Sequence, residues 1–244
     1  MIEDGPGGMW DKVDINSNSS TDRIKEYLNN GKNAYFAGKD QEAIQELTQC
    51  VNDDPDNMEA HYYLGLIYTR LLDFNRAIIH FNEIVMSKYE FLHLNQVHTI
   101  LAYIYSVQND FATAKEYLYK SLGQNESDIK SLSIMGYIAY QEKEYDTAID
   151  YYTKIIGLDG ENANAYNSLG VIYIESGENI DKGIAVCERA LELIPKSAAY
   201  LDSIGWGYYK KGDETRAMEY LKQAFELAPD NMDIKEHLKV LLNL

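Results

Sequence analysis

Hydrophobic and polar positions alternate along this chain with the period of amphipathic α-helices. Residues 129–162 show this most clearly, because apolar positions recur there at i, i+3, i+4 and i+7. The first such stripe consists of Leu132, Met135, Gly136 and Ala139. The charged stretch 141–146 interrupts the period, and a second stripe follows at Ala148, Tyr152 and Ile155. The pattern predicts two helices joined by a short polar turn.

This helix–turn–helix pattern occurs six times. A small residue in each first helix recurs at steps of 34, 37, 34, 34 and 35 positions: Gly31, Gly65, Ala102, Gly136, Gly170 and Gly205. A second small residue follows at similar steps: Ala43, Ala77, Ala114, Ala148, Gly183 and Ala217. A period near 34 indicates one helix pair copied in tandem. We interpret the small residues as helix-crossing points, since larger side chains would cost about 1–3 kcal/mol there.

Three repeats carry further residues at fixed positions within the pattern. The fifth has Tyr166, Leu169, Gly170 and Tyr173. The second has His61, Leu64, Gly65, Tyr68, Ala77 and Phe81, and the sixth has Leu201, Ile204, Gly205, Tyr208, Ala217, Leu221 and Pro229. In these positions the chain resembles the tetratricopeptide repeat (TPR) family. The resemblance implies an all-α fold, a right-handed TPR superhelix (α-solenoid) with a C-terminal capping helix.

The periodicity also predicts how the chain is divided. A flexible N-terminal arm is expected over 1–20, because this segment is rich in Gly, Ser, Asn and Asp. Six repeats are expected within 21–231, at about 24–57, 58–91, 95–128, 129–162, 163–197 and 198–231. Three additional residues lie between the second and third repeats. Residues 232–244 are predicted to form the capping helix.

The charge balance limits the classes of partner. With 22 Lys and Arg against 39 Asp and Glu, the formal net charge is −17. Nucleic acids and anionic membranes attract basic surfaces, so we expect neither as a partner. No run of 18 apolar residues is present, so no direct membrane insertion is expected. The first twenty residues lack the regions of a signal peptide, which favours a cytoplasmic protein unless a signal or lipoprotein leader has been removed.

Motifs for catalysis, metal binding or cofactor binding are not found in the sequence. His61 and His98 share a position in adjacent repeats, but no further metal-ligating residues are expected to converge on them. Cys50 and Cys187 are four repeats apart, too far for a disulfide, so we expect buried free thiols. We therefore predict a protein that is not an enzyme, with no catalytic residues, no metal and no cofactor.

The resemblance implies a binding site on the concave surface, which the first helix of each TPR lines at positions two, five, nine and twelve. The residues predicted at this site are Tyr35, Tyr62, Leu66, Tyr103, Tyr137, Tyr140, Asn164, Asn167, Trp206 and Tyr209. Tyrosine and tryptophan give large rigid contact areas with one polar group, and amides can bind a peptide backbone. The alternative is that several of these rings only pack between neighbouring repeats.

These observations predict a non-enzymatic scaffold or adaptor that binds an extended or helical peptide of a partner protein in an aromatic groove. The carboxylate clamp of chaperone-binding TPR proteins is absent, because its positions hold Leu28 and Lys32, then Tyr63, then Gln96 and Ile100. The alternatives are a structural subunit of a homo- or hetero-oligomer, with self-association, and the TPR segment of a larger enzyme or sensor. A smaller hypothesis is that Trp10 binds back into the groove, ordinary disorder of the arm being the alternative.

Overall fold

The fold is an all-α helical-repeat superhelix, as the sequence predicts. In this computed structural model, residues 15–243 are described, and this part of the chain contains no β-strand. Its helices are α1 (Ile15–Phe36), α2 (Asp40–Asp53), α3 (Met58–Arg70), α4 (Phe74–Met86), α5 (Leu94–Val107), α6 (Phe111–Gln124), α7 (Ile129–Gln141), α8 (Tyr145–Leu158), α9 (Ala163–Ser176), α10 (Ile180–Leu193), α11 (Ala198–Lys211), α12 (Glu214–Leu227) and α13 (Met232–Leu242). Helix α1 begins inside the segment predicted as an arm, and Trp10 lies outside the described residues.

The chain divides into two compact units, the first ending at Val97 and the second beginning at His98. In unit 1, α1 packs on α2, α2 on α3, and α3 on α4. In unit 2, helices from α6 to α13 each pack on their neighbour along the chain, and α13 also contacts α11. Both units are therefore built from helix pairs. None of the helices in the described range is long and apolar enough to cross a membrane.

Polar side chains define where the helices begin and how the pairs turn. Asn, Asp or Ser residues accept a hydrogen bond from a backbone N–H of the first turn in α3, α4, α6, α7 and α9 to α13. Between the two helices of each pair, one residue has a φ angle of 58° to 86°. These residues are Gly38, Leu72, Asn109, Lys143, Gly177 and Gly212. A residue with left-handed backbone geometry ends the first helix of the pair, so the chain can turn and the second helix can pack back against the first.

The helix crossings need small residues, and the need is greatest between α9 and α10. A Cβ atom added to Gly170 would lie 2.7 Å from the carbonyl oxygen of Gly183 and 2.4 Å from Sγ of Cys187. A Cβ atom on Gly183 would in turn lie 2.7 Å from the carbonyl oxygen of Gly170. Backbone therefore faces backbone at this crossing, whereas at Gly136 the nearest atoms belong to the Tyr152 ring.

The two cysteines are buried free thiols, as expected from their separation. Burial raises the pKa of Cys50 to about 11 and that of Cys187 to about 12. The reactive thiolate is therefore scarce at neutral pH in both cases. The sulfur of Cys187 packs against Gly170, which gives this thiol a role in helix packing.

A pair of histidines packs between α3 and α4 in unit 1, with His61 buried and His80 half-buried. Nε2 of His61 lies 3.0 Å from the carbonyl oxygen of Pro55, which can only accept, so this nitrogen carries a proton. Nδ1 of His61 is then an acceptor for the N–H at Nδ1 of His80, 3.0 Å away. The His80 ring also stacks on Tyr68, with ring centroids 5.6 Å apart. The contact between the two Nδ1 atoms is a hydrogen bond only while one of them carries no proton.

Candidate functional site

The predicted site residues differ widely in their exposure. Tyr103 and Tyr137 are 44% and 40% exposed, whereas Tyr62 is only 6% exposed. Of the others, Asn164 is exposed and Tyr35, Leu66, Tyr140, Asn167, Trp206 and Tyr209 are half-buried. The prediction therefore contains residues that a partner can reach directly and residues that already serve the fold.

Tyr62 belongs to the fold of unit 1. Its ring packs against Phe91 and His93, with centroid distances of 5.5 and 5.1 Å. Phe91 and His93 lie in the link between α4 and α5, where the sequence has its three additional residues. Tyr62 thus anchors this link, which corresponds to the packing alternative considered for the aromatic residues.

An aromatic cluster in unit 1 includes two residues that the repeat positions did not select. The ring of Tyr63 lies 5.1 Å from Tyr35 and 5.9 Å from Phe36, which is 72% exposed. Arg70 lies over the Tyr35 ring and Lys32 over the Tyr63 ring, at 4.9 and 5.7 Å. The sequence does carry a signal for Phe36, because it is an aromatic residue at the end of the first helix, next to the polar turn.

In unit 2, we define the first-helix face as the predicted residues on α5, α7, α9 and α11: Tyr103, Tyr137, Tyr140, Asn164, Asn167, Trp206 and Tyr209. Three of them line one pocket between α7, α8 and α9, which has a volume of about 230 Å³. The pocket is lined by Tyr137, Tyr140, Tyr152, Asn167, Ser168, Val171 and Ile172. Three tyrosine rings and two branched aliphatic side chains make its walls largely apolar.

Asn167 gives this pocket an unused polar group. Its Oδ1 atom is buried and has no hydrogen-bond partner within the described chain. A buried acceptor without a partner costs about 1–3 kcal/mol, so most buried polar atoms in proteins are paired. The neighbouring Asn164 differs, because its Oδ1 accepts a hydrogen bond of 2.7 Å from the Tyr200 hydroxyl. Asn167 therefore differs from Asn164 in having a buried carbonyl oxygen without a partner among the described residues.

Two of the tyrosines around the pocket, Tyr140 and Tyr152, are held in their neutral form. Burial raises the pKa of Tyr140, and the negative charge of Glu175 raises it further. Burial also raises the pKa of Tyr152, against a smaller lowering by its hydrogen bond with Ser168. The Tyr152 hydroxyl lies 3.3 Å from the backbone oxygen of Ser133, to which it donates. The hydroxyl groups of Tyr140 and Tyr152 are therefore neutral at physiological pH.

Trp206 and Tyr209 form a second aromatic group of the first-helix face. The Trp206 ring stacks on His237 at 4.2 Å and on Tyr209 at 5.0 Å. Its Nε1 donates a hydrogen bond of 2.5 Å to Oε1 of Glu175, whose other oxygen lies 3.5 Å from Nζ of Lys210. Sequence reasoning missed Glu175 and His237, because the first precedes a turn and the second lies in α13, outside the repeats.

Metal chemistry has no visible basis in this region. Within residues 15–243, no group of three or more His, Cys, Asp or Glu side chains could hold a metal ion. His237 instead bonds through Nδ1 to the carboxylate of Asp202, at 2.9 and 3.1 Å. Its ring thereby serves to support Trp206 from α13.

Comparison with known proteins identifies the family. A family model described as the tetratricopeptide repeat protein 21 C-terminal ARM domain matches residues 16–204, and a tetratricopeptide repeat model matches residues 198–231. The chain therefore belongs to the TPR proteins, whose fold serves as a protein-interaction scaffold. No particular subfamily is indicated.

One curated relative and several solved structures are similar to parts of the chain. The TPR repeat-containing protein PA4667 of Pseudomonas aeruginosa is 33% identical over 78 residues, which are 32% of this chain and 13% of that protein. A TPR protein from Parabacteroides merdae has a TM-score of 0.78 at 15% identity, covering 90% of this chain and 86% of that one. A chain in the crystal structure of the APC/C hetero-tetramer Cut9–Hcn1 has a TM-score of 0.74 at 20% identity. The match covers 95% of this chain and 46% of that one. YrrB, described as a TPR protein with an unusual peptide-binding site, has a TM-score of 0.56 at 16% identity. The match covers 79% of this chain and 97% of that one.

Proposed function

We propose that this chain is a non-enzymatic scaffold that holds a peptide segment of a partner protein on its first helices. The observation that carries the proposal is the first-helix face of unit 2. It combines reachable rings, such as Tyr103 and Tyr137, with the pocket that Tyr137, Tyr140 and Asn167 line. Large aromatic side chains together with the exposed amide of Asn164 favour a peptide, which offers both side chains and backbone hydrogen-bonding groups.

The chemistry of the face favours binding over catalysis. A catalytic group would be a titratable residue placed in a pocket with its pKa moved toward neutrality. Here burial moves the pKa of Tyr140 and Tyr152 upward, away from neutrality. The TPR fold of YrrB, whose description names a peptide-binding site, supports the same class of function.

A random peptide library displayed on phage tests the proposal on the immobilised full chain. We expect enrichment of related peptides that bind wild type and lose most of their affinity for the variant Tyr103→Ala, Tyr137→Ala. Each of these rings is more than a third exposed, so their removal should leave the fold intact. Truncating an interface aromatic typically costs 1–4 kcal/mol, so we expect a loss of about tenfold or more.

A control variant separates this surface from exposed tyrosines in general. Tyr119 on α6 is 63% exposed and Tyr89 in the link after α4 is 69% exposed, and neither lies on a first helix. The variant Tyr89→Ala, Tyr119→Ala should bind the enriched peptides like wild type. The proposal is wrong if the two double variants lose equal affinity, or if no related peptides are enriched.

A further inference from the structure

We infer that a pocket beside α4 in unit 1 docks an arginine side chain of a partner protein. The pocket has a volume of about 360 Å³, and its walls include Asp56, Met58, His61, Glu83, Met86 and Tyr89. We call it the α4 pocket. None of its residues belongs to the first-helix face of unit 2, so the inference does not rest on the proposed function.

Both links that border the α4 pocket are held by contacts within unit 1. Nε2 of His61 donates a hydrogen bond of 3.0 Å to the carbonyl oxygen of Pro55, which fixes the α2–α3 link. In the α4–α5 link, the backbone N–H of Tyr89 donates a hydrogen bond of 3.1 Å to Oγ of Ser87. The same link is anchored on the Tyr62 ring. Walls that are already ordered lower the cost of binding a ligand.

The α4 pocket contains two carboxylates without a counter-charge. Asp56 and Glu83 are both exposed, and neither forms a salt bridge within the described residues. By contrast, other carboxylates of unit 1 pair with a lysine or arginine of the same unit: Asp40, Glu42, Asp53, Glu59 and Asp73. Lys88 also lines the pocket, but its single charge can offset at most one of the two carboxylates. A negative charge therefore remains uncompensated.

Apolar surface accompanies these charges. The side chains of Met86 and Tyr89 are 80% and 69% exposed, and Met58 is half-buried. Methionine and tyrosine can cover the methylene stem of a long basic side chain, and a tyrosine ring attracts a cation placed over its face. A purely apolar side chain would cover the carboxylates without compensating them, which is costly. The pocket therefore fits a side chain that is apolar along its stem and cationic at its end.

Arginine meets these requirements better than lysine or a metal ion. Asp56 and Glu83 lie on different elements, so the ligand has to reach two separate carboxylates. A guanidinium group offers five donors in a planar fork and stacks on aromatic rings, whereas an ammonium group is a strongly hydrated point charge. A metal ion would need further ligands, and within residues 15–243 no group of three or more His, Cys, Asp or Glu side chains could hold one.

Two peptides of nearly the same shape test the charge. One is a capped alanine–arginine–alanine peptide, and the other has citrulline, whose neutral urea group replaces the guanidinium. Each is titrated into the ¹⁵N-labelled full chain at low salt and followed by NMR. We expect the arginine peptide to bind about tenfold more tightly, since two exposed ion pairs and one cation–π contact each contribute about two- to fivefold. Its shifts should fall on Met58, Met86 and Tyr89.

A double variant isolates the two carboxylates. In Asp56→Asn, Glu83→Gln the difference between the peptides should fall to about twofold, because only the ring contact remains. The matched control is Glu116→Gln, Asp150→Asn, which removes the same charge from exposed positions of α6 and α8 and should preserve the tenfold difference. Were the pocket variant unfolded, the two peptides on wild type would still decide the matter.

The outcomes separate the α4 pocket from a general attraction of cations to an acidic chain. Equal affinity of the two peptides for wild type, or shifts away from α4 and its flanking links, overturns the inference. Equal loss of selectivity in the two double variants overturns it as well, because net charge alone would then explain the binding. A library peptide that docks here would lose affinity in Tyr89→Ala, Tyr119→Ala and keep it in Tyr103→Ala, Tyr137→Ala, which distinguishes this surface from the first-helix face.

Discussion

Replacing Gly170 by alanine is expected to destabilise the chain by about 3 kcal/mol or more. The new Cβ atom would lie 2.7 Å from the carbonyl oxygen of Gly183 and 3.0 Å from the backbone nitrogen of Cys187. A side chain in this place could rotate away, but the backbone of α10 can only move as a helix. Overpacking usually costs about 1–3 kcal/mol, and a clash with backbone belongs at the upper end of that range or above it.

Urea unfolding of the full chain, followed by circular dichroism, measures this loss. Gly157→Ala on α8 is the matched control, because a Cβ atom there would meet nothing within 4 Å. Alanine has the higher helix propensity, so the control should gain about 0.5 kcal/mol. A loss below about 1 kcal/mol for Gly170→Ala would show that α9 and α10 do not approach as closely as described.

Acid is expected to destabilise unit 1 through His80. Burial lowers the pKa of His80 from 6.5 to about 4, assisted by the nearby charges of His61 and Arg76. The unfolded chain therefore binds a proton near pH 6.5 that the folded chain takes up only near pH 4. Stability is fully present above about pH 7 and falls as the pH is lowered toward 4. A difference of about 2.5 pKa units corresponds to about 3 kcal/mol over this range.

The variant His80→Asn isolates this contribution. An asparagine amide can donate to Nδ1 of His61 from nearly the same place as the imidazole, but it does not titrate in this range. Urea unfolding at pH 7.5 and pH 4.5 should give a smaller acid-induced loss in the variant than in wild type, by about 2–3 kcal/mol. Equal losses would mean that His80 is already protonated, or exposed, in the folded chain.

Much of the fold could be predicted from the sequence because the repeat constrains it redundantly. The small residues at the crossings identify the helix pairs, and the structure gives the glycines among them a close neighbour, such as Tyr152 against Gly136. What the period could not show is how close a particular crossing is. At the α9–α10 crossing, Gly170 and Gly183 face each other, and a Cβ atom on either would lie 2.7 Å from the carbonyl oxygen of the other.

The candidate site was less predictable, since a position within the repeat gives the direction of a side chain and not its partners. Tyr62 and Tyr103 were both predicted on the concave stripe, at positions five and nine of their repeats, yet the first packs under the α4–α5 link and the second is exposed. The irregular link decides the difference, and no repeat pattern describes it. Likewise Asn164 is paired with Tyr200 while Asn167 is unpaired, which depends on side-chain geometry in three dimensions.

We propose that a partner peptide lies on the first helices of unit 2. Photo-crosslinking locates the peptide, using one enriched from the library with a diazirine at its central residue, and mass spectrometry of the linked full chain. We predict cross-links on α7, α9 and α11, around Tyr137 and Asn167. Cross-links confined to α8, α10 and α12 would contradict the account and place the binding surface on the second helices instead.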